Sequence, residues 1–314
     1  MECTTLTLTP TPPFDFEQTL NFVRRFRARD YERNPAREQI HGDTLQRVVS
    51  VGGEPVFFRV KSVGTVQEPR LECTLYAKSL TNERLEAAQD RIRFFLSLDD
   101  DLTPFYTLAQ GDPVFSDVVA RLYGYHALKV LTPFEAACWA LIQQRTPNSF
   151  AHLTLKRLTE LFGKSIEVEG VTYRAFPEAS QMLDNPEKRV LEATNNTRKT
   201  ERFLDLIRVF AALEQVGDED FLRTAPYAEV SKWLTGVKGI GAWSIDFVML
   251  RGLGRTERTP WTDTGLLPAI SGVYTGGLEI SQGSARELTE RYGWYQGYWA
   301  HYVKTEYWGE RLSS

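Results

Sequence analysis

The chain has 314 residues, of which 42% are hydrophobic and 25% charged, and its formal net charge at pH 7 is −4. This length allows two domains, or one large domain with a lobe attached, and the composition is ordinary for a globular protein. A membrane span is not expected because no apolar run reaches about eighteen residues, and residues 1–10 lack the basic and apolar regions of a secretory signal.

Cysteine and charge content narrow the class of protein further. Cys3, Cys73 and Cys138 are scattered and suit neither a disulfide framework nor a metal-ligand set, which favours a reducing cytoplasm. The negative net charge argues mildly against a nucleic-acid-binding protein, but an enzyme that acts on DNA needs only a local cationic surface. The basic residues that could form this surface, or could simply belong to solvated helix faces, are Arg145, Lys156, Arg157, Arg198, Lys199, Arg202, Lys232 and Lys238.

The first part of the chain predicts a small mixed lobe. Helices are predicted over residues 14–23 and 82–96, and β-strands over 45–51, 56–63 and 70–77. Gly52 and Gly53 between the first two strands are a hairpin-turn signal, and residues 56–63 partly alternate as a half-buried antiparallel strand does. We therefore predict an α+β fold, with an N-terminal lobe over residues 1–98 that contains an antiparallel sheet.

From residue 99 onward the apolar residues recur at helical spacing, which predicts a mainly α-helical region over residues 99–314. The predicted helices span residues 115–122, 133–144, 152–162, 179–183, 200–213, 225–234, 242–250, 265–270 and 284–307. Residues 165–173 alternate between apolar and polar side chains and predict a small β-hairpin between helices. No internal repeat or low-complexity segment is found.

Residues 234–244 (LTGVKGIGAWS) form the most informative motif of the helical region. Gly236, Gly239 and Gly241 fall where one helix must turn tightly into the next, and glycine tolerates positive φ and lets a foreign backbone approach. Such a turn at a helix N-terminus presents N–H groups that suit a phosphate, although a plain helix-terminating glycine is the simpler alternative. The motif resembles the helix-hairpin-helix element that binds a DNA phosphate, and this resemblance implies backbone-binding residues Val237, Lys238, Gly239, Ile240 and Gly241.

After this hairpin, a loop over residues 252–264, rich in glycine and proline, leads to Thr262 and Asp263. Hairpin and loop together resemble the helix-hairpin-helix (HhH-GPD) superfamily of base-excision DNA glycosylases, and most of all the bacterial 3-methyladenine DNA glycosylase II group. The resemblance implies that Asp263 is catalytic, while Thr262 replaces the first residue of the usual acidic pair. By itself, Asp263 could instead be the N-cap of the helix over residues 265–270.

Further positions match the same superfamily. The helix over residues 133–144 is similar to the one whose end fills the gap left by an extruded base, which implies Gln144 as the wedge with Gln143 beside it; a surface glutamine pair is the alternative. A base pocket is implied with Trp243 and Phe247 on one wall and Trp261 or Tyr292 opposite. An aromatic pocket attracts a cationic alkylated purine, although Trp243 and Phe247 could equally be core residues.

The resemblance predicts a monofunctional hydrolase. Trp243 occupies the position at which bifunctional members carry a nucleophilic lysine, so no lyase activity is expected, and three scattered cysteines cannot hold a four-cysteine iron–sulfur cluster. We expect a cytoplasmic, nucleoid-associated monomer that binds damaged double-stranded DNA without a cofactor and releases alkylated purines such as 3-methyladenine, with Asp263 stabilising the oxocarbenium-like transition state. The sequence leaves open whether the hairpin carbonyls bind a sodium or potassium ion.

Two other functions remain compatible with the sequence. A sister glycosylase of the same superfamily could remove oxidised or deaminated bases, because the residues that line an unseen pocket do not reveal its substrates. A non-catalytic module could use the hairpin only to bind DNA structure. Asp263 distinguishes this binding module from an enzyme and favours the enzyme, since a binding module has no need of a carboxylate at this point.

Overall fold

The N-terminal residues form a five-stranded antiparallel sheet with strand order β1-β5-β4-β3-β2. The structure is a computed structural model that describes residues 1–26, 40–217 and 219–313. The strands are β1 (Glu2–Leu8), β2 (Ile40–His41), β3 (Thr44–Val51), β4 (Glu54–Ser62) and β5 (Leu71–Ala77). The predicted turn between β3 and β4 is confirmed, since Gly52 and Gly53 both have positive φ and Val51 pairs with Glu54.

Two helices accompany the sheet. Helix α1 (Phe16–Phe26) begins after Asp15, whose carboxylate accepts hydrogen bonds from the N–H groups of Glu17 and Gln18. Helix α2 (Asn82–Phe95) is capped by Thr81, whose hydroxyl accepts from the N–H of Arg84. Ala88, Ile92 and Phe95 of α2 are buried against the sheet, because they recur at the three- and four-residue spacing of one helix face.

The rest of the described chain is mainly helical. Its helices are α3 (Thr103–Ala109), α4 (Pro113–Arg121), α5 (Pro133–Gln143), α6 (Asn148–Phe162), α7 (Pro186–Thr194), α8 (Thr197–Val216), α9 (Glu219–Thr224), α10 (Tyr227–Thr235), α11 (Ala242–Phe247), α12 (Leu266–Thr275), α13 (Gln282–Glu290) and α14 (Gln296–Ser313). The predicted hairpin between helices is confirmed as β6 (Ser165–Val168) paired with β7 (Val171–Arg174). The fold class is α+β, as the sequence predicts.

Three predicted helices differ from the structure. The segment predicted over residues 179–183 is a single 3-10 turn, Ser180–Met182. The segment predicted over 284–307 is two helices, because Gly293 takes a left-handed φ of +49° and starts the 3-10 turn Gly293–Tyr295 that separates α13 from α14. The segment predicted over 242–250 is α-helical only to Phe247 and continues as one π-helical turn, Val248–Gly252.

The buried apolar residues of the described chain form three large clusters. The first belongs to the sheet, α1 and α2, and extends to Leu128 and Leu131. The second is built by α5 to α11 and spans Phe134 to Leu253. The third joins two separate stretches of chain, Leu102 to Tyr125 and Leu266 to Val303. The loop that follows the π-helical turn connects the second and third clusters. A cavity between these clusters can therefore be lined by side chains from both. The division at residue 98 itself stays a prediction.

Candidate active site

The glycine hairpin between α10 and α11 is held tightly on its inner side and open on its outer side. Val237 and Ile240 are buried in the second apolar cluster. Gly239 has φ +93°, and a Cβ placed on it would lie 2.6 Å from Cδ of Arg202. Gly241 is exposed, and no atom lies within 4 Å of the position a Cβ would take there. Helix α11 then begins without a side-chain cap, which leaves its first N–H groups available to an external acceptor.

Lys238 contributes to this turn in two ways. Its main-chain N–H donates to Oδ2 of Asp205 at 2.8 Å, so this amide is already satisfied within the protein. Its side chain is exposed, with the ammonium 3.8 Å from the carboxylate of Glu201. An exposed ion pair at this distance contributes little to stability, so the ammonium can change partner at small cost.

Gln144 connects the end of α5 to the hairpin. Its Nε2 donates to the carbonyl of Gly239 at 2.7 Å and to the hydroxyl of Ser244 at 3.0 Å. Its Oε1 accepts from Nη1 of Arg202 at 3.0 Å. All three polar partners would have to be released before this side chain could enter DNA. The side chain of Gln143 is also engaged, with Nε2 donating to Asn148 at 2.9 Å.

The next residue, Arg145, lies at the tip of the same loop. Its side chain is exposed and its backbone has φ +53°, a left-handed conformation that a non-glycine residue adopts only when the surrounding structure enforces it. Lys199 helps to enforce it, since its ammonium donates to the carbonyl of Ile142 at 2.7 Å and to the hydroxyl of Thr146. Burial, and after it the charge of Arg202, lowers the pKa of Lys199.

Asp263 lies in the loop before α12 with its carboxylate partly exposed. Oδ1 accepts from the N–H of Gly265 at 2.9 Å, and Oδ2 accepts from the ammonium of Lys304 on α14. Helix α12 starts at Leu266, with Gly265 as its N-cap residue and no side-chain cap. The side chain of Asp263 thus makes a capping-type hydrogen bond just before α12, as the simpler alternative predicts, while its second oxygen is directed to a charged partner from another helix.

A second carboxylate lies beside this loop, although the sequence motif has only one. Asp246 on α11 accepts hydrogen bonds through Oδ2 from both the hydroxyl and the N–H of Thr262. Thr262 stands where the resemblance implies an acidic residue, and it binds the acidic side chain of Asp246 from the hairpin helix. These two hydrogen bonds connect the hairpin helix directly to the loop that carries Asp263.

A cavity of about 100 Å³ opens between the second and third apolar clusters. Its lining residues are Trp243, Asp246, Phe247, Leu250, Arg251, Pro260, Asp263, Ala300, His301 and Lys304. The rings of Trp243 and Phe247 stack with centroids 5.6 Å apart and an interplanar angle of 23°, which gives the cavity one flat aromatic wall. A larger cavity of about 220 Å³ lies against α1 and is lined by none of the predicted site residues.

Two predicted pocket residues do not line this cavity, and the prediction for them is corrected. Tyr292 is fully buried in the third cluster, where its hydroxyl donates to Asp112 at 3.1 Å and its ring packs on Phe115. Trp261 packs on the same cluster, and the guanidinium of Arg286 lies 5.0 Å from its ring centre. Both residues are placed by packing on the third apolar cluster.

The inner end of the cavity carries polar groups that the sequence analysis does not identify. His301 is hydrogen-bonded to the hydroxyl of Tyr125 at 3.0 Å. Burial, with the nearby charges of Arg251 and Lys304, holds the pKa of His301 well below its usual value, so its ring is neutral. Burial also lowers the pKa of the Arg251 guanidinium, whose Nε has no hydrogen-bond partner among the described residues.

These polar groups could hardly have been found from sequence. His301 and Lys304 share one face of α14 because they are three residues apart, which is a visible signal. Nothing local, however, indicates that this face meets the Asp263 loop, since that contact depends on how α14 packs against α12. Asp246 lies on α11, directly after the hairpin motif, so of these residues it is the one that the sequence could most easily have indicated.

The residues do not assemble a conventional metal site. Within residues 1–26, 40–217 and 219–313, no group of three or more histidine, cysteine or acidic side chains could hold an ion. In the hairpin, the carbonyl of Gly239 accepts from Gln144, and that of Val237 accepts from the N–H of Ile240 at 3.1 Å. A carbonyl oxygen has a second lone pair, so these groups could still ligate a sodium or potassium ion, which stays a prediction.

The open side of Gly241 at a helix start, a partly exposed aspartate and an aromatic cavity between two helical clusters are the features that the resemblance to a helix-hairpin-helix glycosylase leads us to expect. No protein-family model matches the sequence. The DNA-3-methyladenine glycosylase of Bacillus subtilis (strain 168) is 25% identical over 257 residues, which cover 82% of each protein. These similarities support the resemblance to the helix-hairpin-helix (HhH-GPD) superfamily of DNA glycosylases, and to its 3-methyladenine glycosylases, that the sequence motifs predict.

Solved structures agree with this fold. A 3-methyladenine DNA glycosylase from Archaeoglobus fulgidus superposes with a TM-score of 0.76 at 20% identity, over 97% of this chain and 98% of that protein. An 8-oxoguanine glycosylase/lyase from Clostridium acetobutylicum, solved with double-stranded DNA containing cytosine opposite 8-oxoG, gives a TM-score of 0.62 at 18% identity, over 85% and 89% of the two chains. The N-terminal lobe is part of both matches, since each covers most of this chain. No helix in the described part of the chain is long and apolar enough to cross a membrane.

Proposed function

We propose that the protein is a monofunctional DNA glycosylase that extrudes alkylated purines such as 3-methyladenine from double-stranded DNA and hydrolyses their N-glycosidic bond. The observation that carries this proposal is the position of Asp263, a partly exposed carboxylate that lines the same cavity as the Trp243–Phe247 stack. The 25% identity to a B. subtilis enzyme named DNA-3-methyladenine glycosylase supports the substrate class.

DNA binding is assigned to the hairpin. The open side of Gly241 and the uncapped start of α11 can accept a phosphate of the backbone, independently of base sequence. Extrusion of a base costs a few kcal/mol of stacking and pairing, and a side chain that fills the resulting gap offsets part of it. Arg145 is the better candidate for this gap than Gln144, because Arg145 is exposed at the loop tip while Gln144 binds Gly239, Ser244 and Arg202.

Cleavage is assigned to Asp263. The bond between the base and C1′ breaks with development of positive charge on the sugar, and a carboxylate beside C1′ stabilises that charge. Hydrogen bonds from Gly265 and Lys304 fix the orientation of this carboxylate before substrate arrives. Water then adds to C1′, and the carboxylate can orient it or accept its proton.

Substrate recognition and the absence of lyase chemistry are both assigned to Trp243. The stacked rings of Trp243 and Phe247 present an electron-rich face, which attracts a cationic alkylated base more than a neutral one. An indole has no amine that could form a Schiff base with the sugar at the position where bifunctional members carry their lysine, so we expect the abasic product to be left uncleaved.

A panel of duplexes tests this proposal. Each carries one damaged base, either 3-methyladenine, 7-methylguanine, hypoxanthine, uracil or 8-oxoguanine, and the released base and strand nicks are both measured. We expect release of the alkylated purines, no nicks before alkali treatment, and a loss on the order of 100-fold or more in Asp263→Asn, as for removal of other transition-state charge contacts. Binding of the variant to an abasic-site analogue should be unchanged. Full base release by Asp263→Asn would contradict the mechanism, and release of 8-oxoguanine alone would contradict the substrate class.

A further inference from the structure

The cavity contains a lysine that the proposed mechanism uses only to orient Asp263. Lys304 projects from α14, and its ammonium donates to Oδ2 of Asp263. Its side chain is 30% exposed, against 25% for Asp263, so the pair faces the cavity instead of the bulk solvent or the core. The amine is not at the hairpin position that Trp243 occupies, and it reaches the site from the opposite helical cluster.

The place of this ammonium relative to a bound nucleotide follows from the role of Asp263. A carboxylate that stabilises C1′ must lie beside it, and the glycosidic nitrogen of the base is bonded to that same carbon. The base acceptor next to this nitrogen is N3 of a purine or O2 of a pyrimidine, the minor-groove acceptors of the base pair. A cation in hydrogen-bond contact with Asp263 therefore needs only a side-chain rotation to reach that acceptor.

We propose that Lys304 donates a hydrogen bond to N3 or O2 of the extruded base, so that the enzyme can release neutral damaged bases in addition to cationic ones. This inference rests on the proposed function, because it places C1′ beside Asp263. Lys304 is thereby a residue that selects substrates through the leaving group, and the stacked rings of Trp243 and Phe247 are not the only determinant of the substrate range.

The electron balance explains why the two kinds of base differ. When the bond to C1′ breaks, its electron pair stays on the base, and water supplies the oxygen that replaces the base on the sugar. A neutral base leaves as an anion, which Lys304 stabilises by sharing or transferring its proton, and the proton lost by the water restores the balance. An alkylated purine cation leaves as a neutral molecule and requires no donor. On 3-methyladenine the methyl group occupies N3, so Lys304 has no lone pair to bind there.

Lys304→Met tests the role, because methionine keeps the unbranched shape and most of the length of the side chain and removes the amine. Single-turnover release of hypoxanthine and of 7-methylguanine is measured with the same duplex sequence. Because Lys304 also orients Asp263, we expect release of both bases to fall, and hypoxanthine release to fall on the order of 100-fold further than 7-methylguanine release, which is the lower range of general-acid contributions. Lys304→Arg should restore part of the hypoxanthine activity. Lys188→Met, which removes an exposed lysine on α7, is the matched control.

Each outcome of this experiment decides the inference. An equal fall for both bases would overturn it, since it would leave Lys304 only the orientation of Asp263. An unchanged hypoxanthine rate would overturn it as well. Wild-type protein that releases 7-methylguanine but no hypoxanthine would overturn it while leaving the proposed function intact, whereas release of no damaged base would contradict the proposed function too. Borohydride trapping of wild-type protein on abasic DNA, lost in Lys304→Met, would overturn it by making Lys304 a nucleophile.

Discussion

The two glycines of the hairpin, Gly239 and Gly241, should respond oppositely to the same substitution. At Gly239, alanine would have to adopt φ +93° and would place its Cβ 2.6 Å from Cδ and 2.9 Å from Cγ of Arg202. The left-handed backbone costs about 1–2 kcal/mol, and displacement of Arg202 weakens its charged hydrogen bond to Gln144, which contributes about 1.5 kcal/mol. We expect Gly239→Ala to lower the free energy of unfolding by about 3 kcal/mol.

Gly241→Ala should leave the fold intact and weaken DNA binding. Gly241 has φ −103°, which alanine adopts without strain, and its Cβ would meet no atom within 4 Å. The unfolded chain loses entropy, so stability should be unchanged or higher by up to about 1 kcal/mol. The methyl group would project into the space assigned to the phosphate. Loss of one charge-assisted hydrogen bond there, worth about 1.5–3 kcal/mol, corresponds to a Kd raised by about 10- to 100-fold.

Chemical denaturation and fluorescence anisotropy separate these two effects. Unfolding is followed in urea, and binding is followed with a duplex that carries an abasic-site analogue, at one fixed salt concentration because phosphate contacts depend strongly on salt. Gly241→Ala that binds the duplex within about threefold of wild type, while folding normally, would refute the assignment of the phosphate to the open side of the hairpin. Wild-type stability of Gly239→Ala would refute the argument from its backbone and from Arg202.

Two further predictions concern the loop beside the hairpin and the inner end of the cavity. Gln144→Ala should destabilise the protein by about 1–3 kcal/mol through the groups it leaves unpaired, whereas Arg145→Ala should leave stability unchanged and slow base extrusion, followed by 2-aminopurine fluorescence beside the lesion. Equal effects of the two variants on extrusion would contradict the choice of Arg145. Burial lowers the pKa of His301, so the neutral ring contributes its full stabilisation above about pH 6.5. Below that pH the unfolded chain takes up a proton that the folded chain does not. The free energy of unfolding should therefore fall by about 1.4 kcal/mol per pH unit until the pKa of the folded state is reached. Urea unfolding at pH 7.5 and 5.5 measures this slope, which His301→Gln should reduce; an unchanged slope would mean that the ring is already protonated in the fold.

Local patterns were sufficient to predict most elements of the fold. The strands β3, β4 and β5 and the helix α2 lie within two residues of their predicted limits, because turn glycines, a threonine cap and alternating apolar residues all act within a few residues. Strand β1 is not among the predicted elements. Its residues are mostly exposed threonines, and it is ordered by pairing with β5, from Glu2 with Ala77 to Leu8 with Leu71, which no local pattern contains.

The same distinction separates the parts of the site. The turn around Gly239 and the aspartate at 263 are local motifs and could be identified from the order of residues. The choice of Tyr292 failed because an aromatic side chain on an amphipathic segment fits a core and a pocket equally well, and only packing decides between them. Lys304 and Arg251 are single charges on otherwise apolar helices, so only the contact between α12 and α14 and the shape of the cavity reveal them.

The site is divided between two structural units, and this division explains why Gln144 and Asp246 are needed. The second apolar cluster carries the hairpin, the Arg145 loop and the aromatic wall, whereas the third carries Asp263 and Lys304. In the proposed mechanism, a shift of about 1 Å between the phosphate and the carboxylate would misplace C1′ and cost much of the rate. Gln144 fixes the loop to the hairpin within one unit, and Asp246 joins that unit to Thr262, directly before Asp263. Thr262, at the position where the resemblance implies an acidic residue, therefore supplies the hydrogen-bond donors that join the Asp263 loop to the hairpin helix.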